Sequence, residues 1–484
     1  MTAELGAGQA SPTTQDRLHA TGDPGHLPAI VDLVDGEWGT PAVDLGVALE
    51  DPATGAEVAR AVATAPERIE LALAVADQTS GVVTPDMLDA IADALEPRLA
   101  RIAELDALAT GVPLSQTSLL GVIVAGAFRL AAGQVRAGIL REDRDGVRVH
   151  RLPLGPALCL VPWNAPAPMA AHKVANALAA GCPVILKVSE LTPYSSILLA
   201  EAIAEQVPPG MFQLVHGGIA TGTQLVADSR IRAVSFTGGL AGGRSVATAS
   251  APLLRPCQLE LGGNNPLLVL PDADTDTAAR MAAELLTTLN GQWCRALGRL
   301  ILPADRAAEL VEAIGKRLDA LRFGPPLDPA TEFGPLVHSR HVRTMREALS
   351  GRRFRSFGQV PETGNYLAPA LLADDLTDEV FGPVAGMVTY ESVDEAVRLA
   401  NAVPYGLEGY VCGTDKDVAL SVAQRIRAGE VKVNGSSIMS LHLMTPRPAW
   451  GWSGLGEEGT AETLRFFTGA RVVGVEGRFA LHTS

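Results

Sequence analysis

An α/β fold on mostly parallel sheets is predicted by three observations. Short apolar or β-branched runs alternate with helical stretches from Ala157 to Gly263. A second succession of the same kind follows from Pro266 to Leu302. No period of about 20 to 50 residues repeats, which sets a solenoid aside. The chain has 484 residues, 47% of them hydrophobic and 19% charged, enough for two or three cores.

In the first region, residues 157–161 form an apolar strand and 167–180 an Ala-rich helix, closed by Gly181 in the left-handed cap position. Residues 184–188 are a β-branched strand, and Thr192 before Pro193 reads as an N-cap and first turn. A strand at 212–215, a helix near Gln224 and a strand at 231–236 complete the alternation. The second region holds a strand at 266–270, a helix from Asp276 to about 288, a loop with Cys294, and a strand at 300–302. Ahead of both, residues 85–138 are mostly helical, with Leu88, Ile91, Ala92, Leu95 and Leu99 forming a core stripe. Ligands of parallel sheets bind beyond the carboxyl ends of the strands.

The formal net charge of -15 opposes nucleic acid or an anionic membrane surface as a partner and leaves small ligands. No uninterrupted apolar run approaches a membrane span, and residues 1–25, polar and Gly/Pro-rich, read as a loose arm without the blocks of a signal peptide. A cytoplasmic protein is expected. The five cysteines, Cys159, Cys182, Cys257, Cys294 and Cys412, contain no CxxC pair and give neither a disulfide framework nor a zinc site. His338 and His341 lack a third ligand nearby and read as a solvated helix face, so no metal is expected.

The chain has neither GxGxxG after a strand nor GxxxxGK[ST]. The segment Ser235-Phe236-Thr237-Gly238-Gly239 ends a strand and opens a helix whose free N–H groups suit a pyrophosphate; a plain tight turn is the alternative.

Several segments, in order, resemble the aldehyde dehydrogenase superfamily: Pro162-Trp163-Asn164-Ala165-Pro166, Lys187-Val188-Ser189-Glu190, Phe236-Thr237-Gly238, Leu259-Glu260-Leu261-Gly262-Gly263-Asn264, Gly291-Gln292-Trp293-Cys294, Glu379-Val380-Phe381-Gly382-Pro383-Val384, Pro404-Tyr405-Gly406-Leu407 and Ser453-Gly454-Leu455-Gly456. The resemblance runs from about residue 30 to about 475. It implies a Rossmann-like cofactor-binding domain at 26–131 and 153–262, and an α/β catalytic domain at 263–452. A small β hairpin at 132–152, with 470–484, would form the contact of a homodimer or homotetramer.

The resemblance also implies a hydrolytic, NAD-dependent oxidation of a small-molecule aldehyde. Cys294 would be the nucleophile, Asn164 the oxyanion-binding amide together with the Cys294 N–H, and Glu260 the base that activates water on the thioester. Relatives that pass the acyl group to coenzyme A generally lack that glutamate, so a free acid is expected. Glu458 matches an acidic position used in proton relay, against the alternative of a solvated carboxylate. Lys187 and Glu190 resemble the pair that holds the adenosine ribose, where a carboxylate repels a 2′-phosphate and favours NAD over NADP. Pro162, Trp163, Ser189, Gly238, Gly239 and Leu261 line the expected cofactor path, and Glu379 and Phe381 match residues for the nicotinamide ribose and ring.

This sequence departs from the pattern in places. Gly239 replaces the usual Ser, residues 348–363 are shortened, and residues 448–453 lack the usual Lys. Trp293 narrows the acyl site. Arg295 beside the nucleophile favours its thiolate; its side chain would meet either a structural acid or a substrate carboxylate. The other readings are a catalytically silent relative, against which Cys294, Glu260 and Asn164 stand together, and a non-redox thioester or ester hydrolase.

Overall fold

Two separate sheets carry the chain, and the passage between them falls at Gly262 and Gly263, between the strands Cys257–Glu260 and Asn265–Val269. The computed structural model describes residues 27–144 and 146–475; the arm expected at 1–25 lies outside them.

The centre of the first sheet is five parallel strands in the spatial order Phe212–Val215, Val184–Lys187, Ala157–Leu160, Ala233–Thr237 and Cys257–Glu260. Asp32–Val34 and Glu37–Gly39 extend one edge, and Gly454–Leu455 closes the other antiparallel to Cys257–Glu260. These central strands are buried on both faces, which is why they read as unbroken apolar runs. The strand order reverses between Ala157–Leu160 and Ala233–Thr237, so the crevice beyond their carboxyl ends is the expected binding place.

Three differences from the expected elements have local causes. The helix after Thr192 and Pro193 begins only at Ser195, its N-cap position is Tyr194 without a side-chain cap, and the Thr192 hydroxyl receives no partner. Thr192 is therefore not the cap. The helix Leu114–Arg136, 23 residues long, is long and apolar enough to cross a membrane by length and composition, which corrects the expectation of no such segment. Its Val124, Phe128 and Ala131 are fully buried against the layer formed by Pro85–Leu95 and Pro166–Ala179, each large side chain contributing about 1.5–3 kcal/mol of burial, so it is a core helix. The same helix occupies residues up to 136, so the hairpin expected over 132–152 begins later, as Arg141–Arg144 paired with Val147–Pro153. Thr468–Val473 joins that hairpin antiparallel and starts before residue 470; residues 476–484 lie outside the described part.

The second sheet has the order Phe354–Ser356, Ala370–Leu372, Val384–Tyr390, Leu297–Pro303, Asn265–Val269, Glu408–Cys412 and Glu430–Val433, parallel except at the first pair. It turns the opposite ends of its strands toward the site. Cys294 lies just before the start of Leu297–Pro303, and Glu408 and Glu430 are first residues of theirs, whereas Glu260 closes a strand of the first sheet.

Candidate active site

The loop that carries Cys294 is shaped by three consecutive residues in the left-handed region, Leu289 (φ 50°), Asn290 (φ 58°) and Gly291 (φ 74°). Only Gly adopts that region freely, so the other two must be held there. Asn290 Nδ2 donates to the carbonyls of Gly111 and Pro335, each at 2.9 Å, and its Oδ1 accepts from the Gly334 N–H at 2.9 Å. Gln292 Oε1 accepts from the Val337 N–H at 2.9 Å. Asn265 Nδ2 grips the far side, donating to the carbonyls of Cys294 at 2.9 Å and Ala296 at 2.8 Å.

That clamp brings Cys294 Sγ to 3.9 Å from Glu260 Oε1, across 34 residues of chain. Asn164 Nδ2 donates to the Gln292 carbonyl at 2.9 Å, which fixes the amide over the same loop and leaves its second hydrogen available. Two glycines make the approach possible. A Cβ on Gly262 would lie 1.9 Å from Glu379 Oε2, and one on Gly263 would lie 2.6 Å from the Cys294 carbonyl oxygen.

Arg295 is settled by the structure as the partner of structural acids. Its Nη1 lies 2.7 Å from Glu408 and 3.4 Å from Glu430, and its Nη2 lies 3.8 Å from Glu260. Arg295 does favour the Cys294 thiolate, as expected, but burial first, then the Glu260 charge, outweigh it and push the thiol well above its ordinary value. Burial is likewise the largest influence on Cys159, raised to about 12, and on Cys182, raised to about 11.

Glu260 is 6% exposed, and burial, followed by the Glu458 charge beside it, raises its carboxyl to about 7. Its Oε2 receives no hydrogen bond from a donor group, so its contact with Glu458 is one of two carboxyls, which holds best with a proton between them. Glu458 is no solvated carboxylate. It is 3% exposed and takes Lys173 Nζ at 2.6 Å; burial pushes its carboxyl up, but the Lys173 charge, the hydrogen bond with Glu260 and the Arg447 charge together hold it well below the carboxylate range. Lys173 also donates to Ser235 Oγ at 2.9 Å. A lone lysine inside the Ala-rich helix Pro166–Ala179 was the visible signal for it.

One pocket joins Cys294, Glu260, Asn164 and Arg295 to Pro162, Trp163, Gly238, Gly239, Leu261, Glu379 and Phe381 and to Leu120, Ile123, Met169, Trp293 and Ile438, with Glu458 behind Glu260 and not in its lining. Of the expected cofactor residues, Lys187, Ser189 and Glu190 do not line it; they follow the neighbouring strand, Lys187 Nζ lying 3.8 Å from Glu190 Oε2. Glu379 Oε1 accepts from the Gly263 N–H at 3.0 Å, and burial raises this carboxyl to about 7. Gly239 is the N-cap of Leu240–Ser250 and has no side chain to cap it.

The two histidines are not on a solvated face. His338 caps the helix Ser339–Leu349 by accepting from the Arg340 N–H at 3.0 Å, and its other ring nitrogen meets the Ala48 carbonyl. His341 lies in the pocket wall, 5.3 Å from the Trp163 ring centroid, and burial lowers its pKa to about 4. Among the described residues no group of three His, Cys, Asp or Glu is placed to hold a metal ion.

The Trp163 and Phe381 part of the pocket suits a dinucleotide. Thr237 Oγ1 and His341 Nε2 are buried there without hydrogen-bond partners among the described residues, and Trp163 and Phe381 meet edge to face at 5.4 Å, leaving polar groups and aromatic edges for a bound ring system.

A profile of the Aldehyde dehydrogenase family matches residues 41–473. Geranial dehydrogenase of Castellaniella defragrans is 36% identical over 71% of this chain and 76% of its own. The 3-succinoylsemialdehyde-pyridine dehydrogenase of a Pseudomonas species is 32% identical over 92% and 98%. Aldehyde dehydrogenase C of Pseudomonas syringae, solved with NAD+ and octanal, superposes with a TM-score of 0.86 at 29% identity, covering 94% of this chain and 98% of that one. An aldehyde dehydrogenase of Mycobacterium tuberculosis, solved with NAD+, has a TM-score of 0.86 at 30% identity and coverage of 93% and 98%. The protein belongs to the aldehyde dehydrogenase family. It is an aldehyde-oxidising enzyme that uses a nicotinamide dinucleotide.

Proposed function

We propose that the chain oxidises an aldehyde to the free carboxylic acid, preferring NAD to NADP, with Cys294 as nucleophile and Glu260 as base. The observation that carries this reading is the 3.9 Å contact between Cys294 Sγ and Glu260 Oε1 inside the shared pocket. A thiol raised by burial needs an adjacent acceptor for its proton, and Glu260 is the carboxylate in contact with it. Attack on the carbonyl carbon forms the C–S bond and leaves an oxyanion, which the free hydrogen of the Asn164 amide and the Cys294 N–H stabilise. A dinucleotide bound at the Trp163 and Phe381 side supplies the hydride acceptor. Once Glu260 has passed the thiol proton on through Glu458, it deprotonates the water that attacks the thioester left on Cys294; the C–S bond breaks and the leaving thiolate takes the proton back from Glu260.

Glu190, 30% exposed beside Lys187, supports the NAD preference because its charge repels a 2′-phosphate. An aliphatic aldehyde supplied with NAD should yield NADH and acid in equal amounts, with kcat/KM at least about tenfold lower for NADP. No NADH from the aldehyde, with acid released from an ester or thioester instead, would favour the hydrolase reading, and a faster reaction with NADP would remove the role given to Glu190.

The pH profile gives a second check. Glu260 acts as a base only when ionised, so turnover should fall as pH drops through about 7. The Glu458 charge raises that value, so Glu458→Gln should move the acid limb down, by on the order of one unit. A limb that stays in place would show that Glu458 does not act on Glu260.

A further inference from the structure

Two arginines line the pocket, and their partners differ. Arg295 is fully engaged by Glu408 and Glu430. Arg447, across from Glu458 on the antiparallel pair Arg447–Pro448 and Glu457–Glu458, is 23% exposed and has only long polar contacts among the described residues: Nη2 lies 3.5 Å from Glu458 Oε2 and 3.5 Å from His172 Nε2. A guanidinium has five N–H donors, so most of this one is unused. Glu458 does not need it, because Lys173 at 2.6 Å already meets the other carboxylate oxygen. His172 cannot repay it either: burial lowers its pKa to about 3, and it stays neutral.

We infer that Arg447 anchors an anionic group of the substrate, so that the preferred aldehydes carry a carboxylate on an otherwise apolar chain. The remaining wall fits such a chain, since Leu120, Ile123, Met169 and Ile438 are apolar and Ser440 adds one hydroxyl. Around Glu458 two cations, Lys173 and Arg447, face one permanent anion; Glu260 adds a second only after releasing its proton. Planar two-point pairing of guanidinium with carboxylate is the strong form of this contact, and it needs the free donors that Arg447 has.

The inference rests on the aldehyde-oxidising reading, and one experiment separates the two. Specificity constants are measured with NAD for 4-oxobutanoate against butanal and for 6-oxohexanoate against hexanal, in the wild type, Arg447→Leu and Arg447→Lys. The wild type should favour the charged member of at least one pair, and Arg447→Leu should lower the charged-to-neutral ratio by at least about tenfold. Arg447→Lys should recover part of it. Equal losses for charged and neutral aldehydes in Arg447→Leu would show that Arg447 acts only through Glu458, and a wild type that prefers the neutral member of both pairs would overturn the inference. No NADH from any of the four aldehydes would instead refute the proposed function itself.

Discussion

Cys294→Ala should form no NADH at all, while Glu260→Gln should release up to one equivalent and then stall. The two outcomes differ because the residues act in different halves of the reaction. Without the thiol no C–S bond forms, and hydride has no thiohemiacetal to leave. Glutamine keeps the volume of Glu260 beside Cys294 Sγ but cannot take a proton from water, so the thioester persists. Removing such a base lowers turnover by roughly 100- to 10,000-fold. Because Glu260 also contacts the thiol, the burst itself should be slower than in the wild type, an effect that higher pH partly restores. Intact mass spectrometry should show one acyl group, and digestion should place it on the peptide with Cys294. Steady NADH formation by Cys294→Ala would reject the mechanism. Wild-type turnover by Glu260→Gln would pass the role of base to another group, Glu458 first.

Arg295→Met should destabilise the protein by about 3–5 kcal/mol, read as a lower unfolding midpoint in urea. The guanidinium stands between the buried carboxylates of Glu408 and Glu430, and its loss leaves them with Lys432 alone, 2.6 Å from Glu408 and 3.8 Å from Glu430. Lys432 also donates to the Ser437 carbonyl, and Glu430 accepts from the Leu441 N–H at 2.8 Å, so the segment that brings Ile438 and Ser440 to the pocket loosens with the cluster. Loss of the cation at 3.8 Å from Glu260 removes an interaction that lowers its pKa, so the acid limb of the surviving activity should move up. That direction is opposite to the one expected for Glu458→Gln. A stability change under about 1 kcal/mol would show that Glu408 and Glu430 are held without Arg295.

Much of this was legible in the sequence because it depends on local order. The alternation of apolar runs and helices placed four central strands of the first sheet to within a residue or two, since parallel strands buried on both faces must be continuously apolar, and missed Cys257–Glu260. The motifs around Asn164, Glu260 and Cys294 identified the residues that the fold brings into one pocket. Their spacing of one strand and one helix agrees with Asn265–Val269 and Thr275–Thr287 lying between base and nucleophile. A caps rule failed at Thr192, where the chain takes two further residues before turning into the helix.

What only the tertiary structure decided is where each charge finds its partner. Arg295 lies next to Cys294 in sequence, yet its charge is spent on Glu408 and Glu430, which arrive from strands more than a hundred residues later. Lys173, His341 and Arg447 gain their places in the site from a helix interior, a helix flank and a two-residue strand, settings that look structural when read along the chain. The raised values of Cys294 and Glu260 have the same origin. Desolvation and the field of neighbouring charges depend on what surrounds a group in space, so the sequence determined which candidate groups the fold gathers, and the packing of the two sheets determined how strongly each holds its proton.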